Sequence, residues 1–532
     1  MIRIDVLPDD VLLDIFDFCV AGDETEIEAW QSLVHVCRRW RSLVFQSPHR
    51  LNLQLCCTPE TPTKDALHVW PPALPLIVTG NMALSSGMDN IIAALGQSNR
   101  VCQVSLRGLA RWELENVLSR MQVPFPELTV LRLNLDVETP SVIPDSFFDG
   151  SAPSLRIFHL DGIPFLGMPK LLLSATHLVD LGLSDIPHSG YISPEAIVAL
   201  LSALSSLKSL SLEFRSPQSR PHWEAVRLPP SKRSVIPALD LFRFKGAIEY
   251  LEDLVKFIDA PQLKTLQITL FNQIDFNTPQ LARLINCTPT FRALDEAHVQ
   301  FDDRTASVKL RYWTSDFGFD DLLINISSRE SDWQLSSIEQ VCNSSLPPSS
   351  TVEDLYIEHQ YSGVVVWKDD AIENTLWLQL LLPFTEVKNL YISKEFAPGI
   401  AAALQELVGD RITEVLPNLQ NIFVEGLKPL GPFQEITGQF VATRQLSDNP
   451  IAISNWDEDF DMVKDMDEDS DWDEDSDMFK DFDMDENSDT DEDIDWDEEW
   501  RIRGNLNRYR DGSSIRKKRG VASVGAFHPR RR

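Results

Sequence analysis

The sequence predicts an α/β chain in four parts: three short helices, a long stack of strand–helix units, and two disordered tails of opposite charge. Three observations carry that reading. Apolar residues recur at helical spacing through the first fifty positions, a six-residue strand pattern returns ten times between Val101 and Val424, and the charge near the C-terminus splits into one acidic and one basic block.

The first helix is announced by LPDDVLLDIFDF. Pro8 suits a first turn, where its missing N–H costs nothing, and Asp9 and Asp10 suit the positive end of the helix dipole. Val11, Leu12, Ile15 and Phe16 then fall on one apolar stripe. A polar break from Gly22 to Glu28 follows, after which Trp30, Leu33, Val34, Cys37, Trp40, Leu43 and Val44 recur every three or four residues. Arg38, Arg39 and Arg41 cover the other side, and Pro48 ends the run. Three such helices bury too little surface to be strongly stable alone. The module is expected to complete its core against something else, either the first unit of the stack or another protein.

Its motifs resemble the F-box. The Leu7-Pro8 opening, the Val11-Leu12-x-x-Ile15-Phe16 helix and the Val36-Cys37-Arg38-Arg39-Trp40-Arg41-x-Leu43 segment match that family in order and spacing. The acidic stretch between the first two helices is longer than the family's usual link. The resemblance implies a helical module that docks a Skp-type adaptor and, through it, a cullin scaffold. It also implies that Leu7, Pro8, Val11, Leu12, Ile15, Trp30, Leu33, Val36, Cys37 and Trp40 form the docking face or its support, within an F-box spanning residues 1–56.

Beyond it, an apolar residue, two variable, an apolar, one variable and an apolar recur from VCQVSL at Val101 through LTVLRL at Leu128 to LQNIFV at Leu419. Successive starts lie 23 to 35 residues apart, except for 89 residues between Leu263 and Val352. Helix-compatible segments such as SPEAIVALLSAL and FAPGIAAALQELV fill the intervals. A strand plus helix that cannot bury its apolar side alone stacks into one continuous core, so this is read as a leucine-rich-repeat solenoid over 57–440. Two departures mark it as irregular. Asp136, Ile163, Ile186 and Arg215 stand where a regular repeat carries Asn or Cys, and about residues 290–350 read as alternating strands, either irregular repeats or an inserted hairpin.

Strand alternation sends the leucines inward and their neighbours outward. Successive outward centres are Arg132, His159, Gly182, Ser211, Arg243, Gln267, Tyr356, Tyr391 and Phe423. With Lys245 and the loop from Ser219 to Arg233 these give a basic area and an aromatic area, the kinds of residue that anchor protein interfaces. The target-binding candidates are therefore Arg132, His159, Arg243, Lys245, Gln267, Tyr356, Tyr391 and Phe423.

Residues 441–500 read as an acidic, disordered segment and 501–532 as a disordered basic tail. From 456 to 500 there are 25 Asp and Glu against two lysines, interleaved with Trp456, Phe460, Trp472, Phe479, Phe482, Trp496 and Trp500. That composition suits contact with basic proteins, histones included. The basic run Arg516 to Arg519 suits nuclear import.

Seven scattered cysteines without metal spacing argue against a disulfide framework or a zinc site, no long uncharged apolar run suggests a membrane span, and no cofactor or specific nucleic-acid motif is present. Nucleophile-elbow, zincin and phosphate-loop motifs are missing, so an enzyme is not expected. The sequence points to a cytoplasmic or nuclear substrate receptor of an SCF-type ubiquitin ligase, binding a Skp-type adaptor at one end and a protein target on the repeats. The alternative is a non-catalytic scaffold that engages basic proteins through its acidic tail.

Overall fold

Alternation of buried and outward residues is carried into a sheet of sixteen strands among the described residues of a computed structural model. The structure describes residues 7–456 apart from 21–28, 49, 137–141, 145, 166–167, 218–232, 272–275, 303, 313–321, 328–330, 345, 360–373, 408, 428–431 and 447–448. The expected acidic and basic tails from 457 onward, the polar break after the first helix and the loop from Ser219 lie largely or wholly outside these residues.

Three helices open the chain: α1 (Asp9–Val20), α2 (Ala29–Val36) and α3 (Arg38–Gln46). Nine parallel strands follow in chain order across the sheet, from Leu55–Cys57 to Thr265–Phe271. Three strands then break the order. The chain leaves Thr265–Phe271 for Glu296–Phe301, turns back along Thr305–Arg311, and returns as Leu322–Ser327 beside the strand it left. The irregular stretch is thus an antiparallel meander inserted in a parallel sheet. Its side chains keep the period-2 pattern, so the core continues through it unbroken. Parallel order resumes from Asp354–His359 to a last strand, Ala452–Trp456.

One interior runs under the whole sheet, from Leu55 to Ile451, built from the inward leucines and the helices between strands. The anticipated helices form where expected: Pro194–Leu201, capped by the Ser193 hydroxyl accepting from the Ala196 N–H at 3.3 Å, and Ala397–Gln405. Where a regular repeat would place its Asn, other devices hold the turns. Ile163 and Ile186 are buried, while Arg215 donates from Nε and Nη2 to Asp185 Oδ2 at 3.0 and 2.6 Å. Asp185 sits at φ 52°, and the two-pronged contact pins that left-handed turn.

The expected end of the repeats at residue 440 is corrected. Helix Pro432–Leu446 and strand Ala452–Trp456 add another unit, so Trp456 belongs to the sheet and not to the acidic segment. The signal was hidden because Ile451 to Trp456 lacks the leucine framework and stands directly against the acidic run.

A second, smaller interior belongs to the N-terminal helices: Leu12, Leu13, Phe16, Trp30, Leu33, Val34, Leu43 and Val44, closed by Leu51, Leu53 and Leu74. Trp70 packs against both interiors. Its ring lies edge-on to Trp30 at 5.1 Å, and Trp30 Nε1 donates to the Gln54 carbonyl at 3.0 Å. The small helical module is therefore joined to the first strands through a shared aromatic wedge.

Candidate docking faces

Helix α1 is apolar on two sides. Leu12, Leu13 and Phe16 point into the small core, while Val11 is 41%, Ile15 37% and Phe18 86% exposed. The latter three are four and three residues apart and share one flank of the helix. Val36 at the end of α2 adds another open apolar residue at 59%. A helix that keeps both flanks hydrophobic yet buries only one leaves surface for a partner.

Basic residues of the second motif hold this module in shape. Arg39 Nη2 donates to the Leu7 carbonyl and to Asp9 Oδ1, both at 2.6 Å, tying α3 to the start of α1. Arg41 Nε donates to the Val34 carbonyl at 2.9 Å, satisfying an end group of α2. Cys37 caps α3, its sulfur accepting from the Trp40 N–H at 3.5 Å, and Trp40 packs on Phe16 with ring centres 4.7 Å apart. Of the ten residues named from sequence, Val11, Ile15, Val36 and Pro8 are exposed, Leu7, Cys37 and Trp40 are half-buried, and Leu12, Trp30 and Leu33 lie in the core as support. The single stripe of Val11, Leu12, Ile15 and Phe16 expected from the sequence is corrected: Leu12 and Phe16 face the core, while Val11 and Ile15 lie on the open flank with Phe18, whose spacing from them is legible in the sequence.

On the sheet, the outward centres fall into a single register. Arg132, His159, Gly182, Ser211, Arg243 and Gln267 are successive partners, and the row continues through Leu323, Lys309 and His298 of the meander to Tyr356, Tyr391, Phe423 and Ser454. The meander separates the basic and aromatic areas by four strand steps, about 19 Å at 4.8 Å per strand.

Side chains of the basic area have partners within the sheet. His159 Nε2 contacts Asp180 Oδ2 at 2.8 Å, Arg243 Nε donates to Gln267 Oε1 at 2.9 Å, and the Lys245 ammonium lies 5.6 Å from the Phe271 ring centre. Lys245 occupies the neighbouring row.

The aromatic area is a ladder. Ring centres of His298 and Tyr356 are 4.4 Å apart, Tyr356 and Tyr391 4.2 Å, and Tyr391 and Phe423 4.7 Å, with interplanar angles of 8°, 5° and 11°. Trp456 stands across it, edge-on to Tyr391 at 5.7 Å and to Tyr356 at 6.0 Å. Parallel in-register strands put identical positions one step apart, which is why four flat side chains at one position stack.

Charged groups flank the ladder. His298 is buried and bonded through Nε2 to Glu296, and its Nδ1 lies 3.3 Å from Glu358. Arg311 donates from Nε and Nη2 to Glu296 Oε1 at 2.9 and 2.6 Å. Desolvation works against ionisation of Glu296, His298 and the half-buried Glu358, yet the contacts outweigh it: Glu296 and Glu358 are held below the ordinary carboxylate value and His298 above the ordinary histidine value. Sequence reading passed over Glu296 and His298, because alternation in LDEAHVQF gave strands without their neighbours.

Among the described residues no helix is long and apolar enough to cross a membrane, and no group of three or more His, Cys, Asp or Glu is placed to hold a metal ion. No curated protein matches the chain. Residues 4–53, the segment holding α1 to α3 and its open flank, match the F-box-like family, so the chain carries an F-box-like domain at its N-terminus.

Proposed function

We propose that this chain is a non-catalytic substrate receptor of an SCF-type ubiquitin ligase, acting in the cytoplasm or nucleus. The observation that carries the reading is an F-box-like domain, matched over residues 4–53, whose first helix leaves Val11, Ile15 and Phe18 uncovered. F-box domains generally bind Skp-type adaptors and are usually non-catalytic. On this reading Leu7, Pro8, Val11, Ile15, Phe18 and Val36 meet the adaptor, with Leu12, Trp30, Leu33, Cys37 and Trp40 supporting them. The sixteen-stranded sheet is a leucine-rich-repeat solenoid whose outward row, from Arg132 to Phe423, meets the target. The mechanism is proximity: a bound target is held near a charged conjugating enzyme, and effective concentration supplies the rate gain.

Co-purification of the full chain with a Skp-type adaptor tests this, comparing wild type with Leu7→Ala/Pro8→Ala. Capture by wild type and loss in the double variant is the expected outcome; no capture by wild type ends the ligase reading. A second reading, a scaffold for basic proteins, is favoured by the 25 acidic residues between 456 and 500. Retention of histones by wild type but not by a chain ending at Trp456, with no adaptor captured by either, would support it.

A further inference from the structure

The sheet ends on an unprotected strand. Among the described residues Ala452–Trp456 pairs with Asn421–Glu425 and lies last in the strand order. The Ala452 N–H donates to the Gln420 carbonyl at 2.9 Å, so alternation turns the N–H and C=O of Ile453 toward the outer edge. The usual defences of an edge are missing from this strand: AISNW contains no Lys, no Pro and no bulge. The helix layer beside it is finished differently. Helix Pro432–Leu446 shows Glu435, Gln439 and Gln445 to solvent, the polar outer face that closes a stack of repeats.

The side-chain row at this edge is unfinished as well. Leu355, Leu390 and Ile422 share one row across neighbouring strands and are fully buried. Ile453 is next in that row and packs on the core, yet it is only half-buried, because among the described residues no further strand flanks it. On the opposite face Ala452 and Ser454 are exposed and small, so a strand laid alongside meets no bulky side chain from them. Carboxylates bracket the strand in the sequence: Asp448 stands before it, and Asp457-Glu458-Asp459 follows directly after Trp456.

We propose that this edge takes up an extended segment of a partner protein, apolar at alternate positions and basic at both ends, as a seventeenth strand. Its backbone bonds to Ile453, one of its apolar side chains closes the row beyond Ile453, and its Lys or Arg ends meet the bracketing carboxylates. The same carboxylates disfavour a second copy of this chain as the occupant, since pairing two such edges brings like charges together. The seat lies apart from adaptor docking and serves a ligase target or a client of a scaffold alike.

The test measures anisotropy of a fluorescein-labelled nine-residue peptide, five alternating Val and Thr between two Lys and two Arg, against the full chain. Saturable binding is expected. Methylating the five central backbone nitrogens keeps charge and side chains but removes the donors, and is expected to weaken binding at least about fivefold, the equivalent of two backbone hydrogen bonds. Ile453→Pro removes the outward N–H, leaves the ladder bonds of Ala452 and Ser454 in place, and is expected to weaken binding similarly. Gln in place of the four basic residues is expected to weaken binding and abolish its salt dependence. Thermal unfolding is recorded for each chain; should Ile453→Pro unfold the last unit, the methylated peptide on wild type decides by itself. Equal affinity for the methylated peptide, which would mean that charge alone attracts it, overturns the proposal, as does wild-type affinity in a folded Ile453→Pro chain. A wild type that sediments as a dimer at the assay concentration and becomes a monomer as Ile453→Pro also overturns it, since the occupant is then a second copy.

Discussion

Removing Phe18 separates docking from folding more cleanly than any other change in the N-terminal module. Its ring is 86% exposed and lies outside the small core, whereas Phe16, two residues earlier, is fully buried. Phe18→Ala therefore takes nothing from the free chain's interior, and a surface change of that kind stays within about 0.5 kcal/mol of wild-type stability. Burying an exposed Phe side chain at an interface is worth roughly 1.5–3 kcal/mol. Loss of that burial should raise the dissociation constant for a Skp-type adaptor by about 10- to 150-fold. Phe16→Ala should behave in the opposite way, costing about 3–5 kcal/mol of core packing and loosening the module itself. The assay pairs calorimetric titration of adaptor with thermal unfolding of each variant. Wild-type adaptor affinity in Phe18→Ala and also in Val11→Ala/Ile15→Ala, with unfolding temperatures unchanged, would refute the assignment of this flank to docking.

Trp70→Ala should remove the wedge shared by the two interiors, so that the N-terminal helices unfold in a separate, earlier transition by calorimetry while the sheet melts as before. Arg444 is fully buried and donates to the Val415, Leu416 and Pro417 carbonyls at 3.3, 2.5 and 3.0 Å; Arg444→Met should leave them unsatisfied and destabilise the last unit by roughly 2–4 kcal/mol, seen as faster amide exchange in Asn421–Glu425 and Ala452–Trp456. The His298 cluster sets a pH window. Its raised histidine contributes stability below the ordinary value of 6.5 and loses it as pH rises through the folded value, whereas the lowered Glu296 and Glu358 contribute above 4.5 and lose it as pH falls. The urea midpoint of wild type should exceed that of His298→Gln most between these values, and the gap should narrow by pH 8.5; an unchanged gap would show that the imidazole's charge does no work there.

Strand register was legible because inward leucines repeat at a spacing that only a stacked strand satisfies. Arg132 through Gln267, and Tyr356 through Phe423, can be aligned from the text of the sequence alone. What lay between them could not. Glu296–Phe301 and Leu322–Ser327 alternate like any strand, and alternation says nothing about which neighbour a strand takes; chain order would have put Glu296–Phe301 beside Thr265–Phe271, where Leu322–Ser327 sits instead. For that reason His298 and its carboxylates were invisible as a group although each residue was plain to read. Helix α1 failed differently. Val11, Ile15 and Phe18 make one apolar flank and Leu12, Leu13 and Phe16 another, and only the position of α2 and α3 decides which flank is inside. Trp456 was lost to composition, since a window centred on it is dominated by the carboxylates that follow.

A receptor that works by proximity needs more than two adhesive faces; it needs them held at a fixed separation, since effective concentration falls as the connection between two binding events loosens. On the proposed reading, the residues around the first strand would supply that rigidity. Leu53 belongs to the small interior and Leu55 to the large one, so the boundary is crossed within a single extended dipeptide step and no flexible linker intervenes. Leu74 then returns to the small interior from the far side of helix Thr63–Val69, and Trp70 fills the angle between them, edge-on to both Trp30 and Phe45. An adaptor seated on Val11, Ile15 and Phe18 would thus orient the strands and not merely tether them. Loosening this joint should lower target modification even where adaptor and target are each still bound, an effect that neither binding face alone can produce.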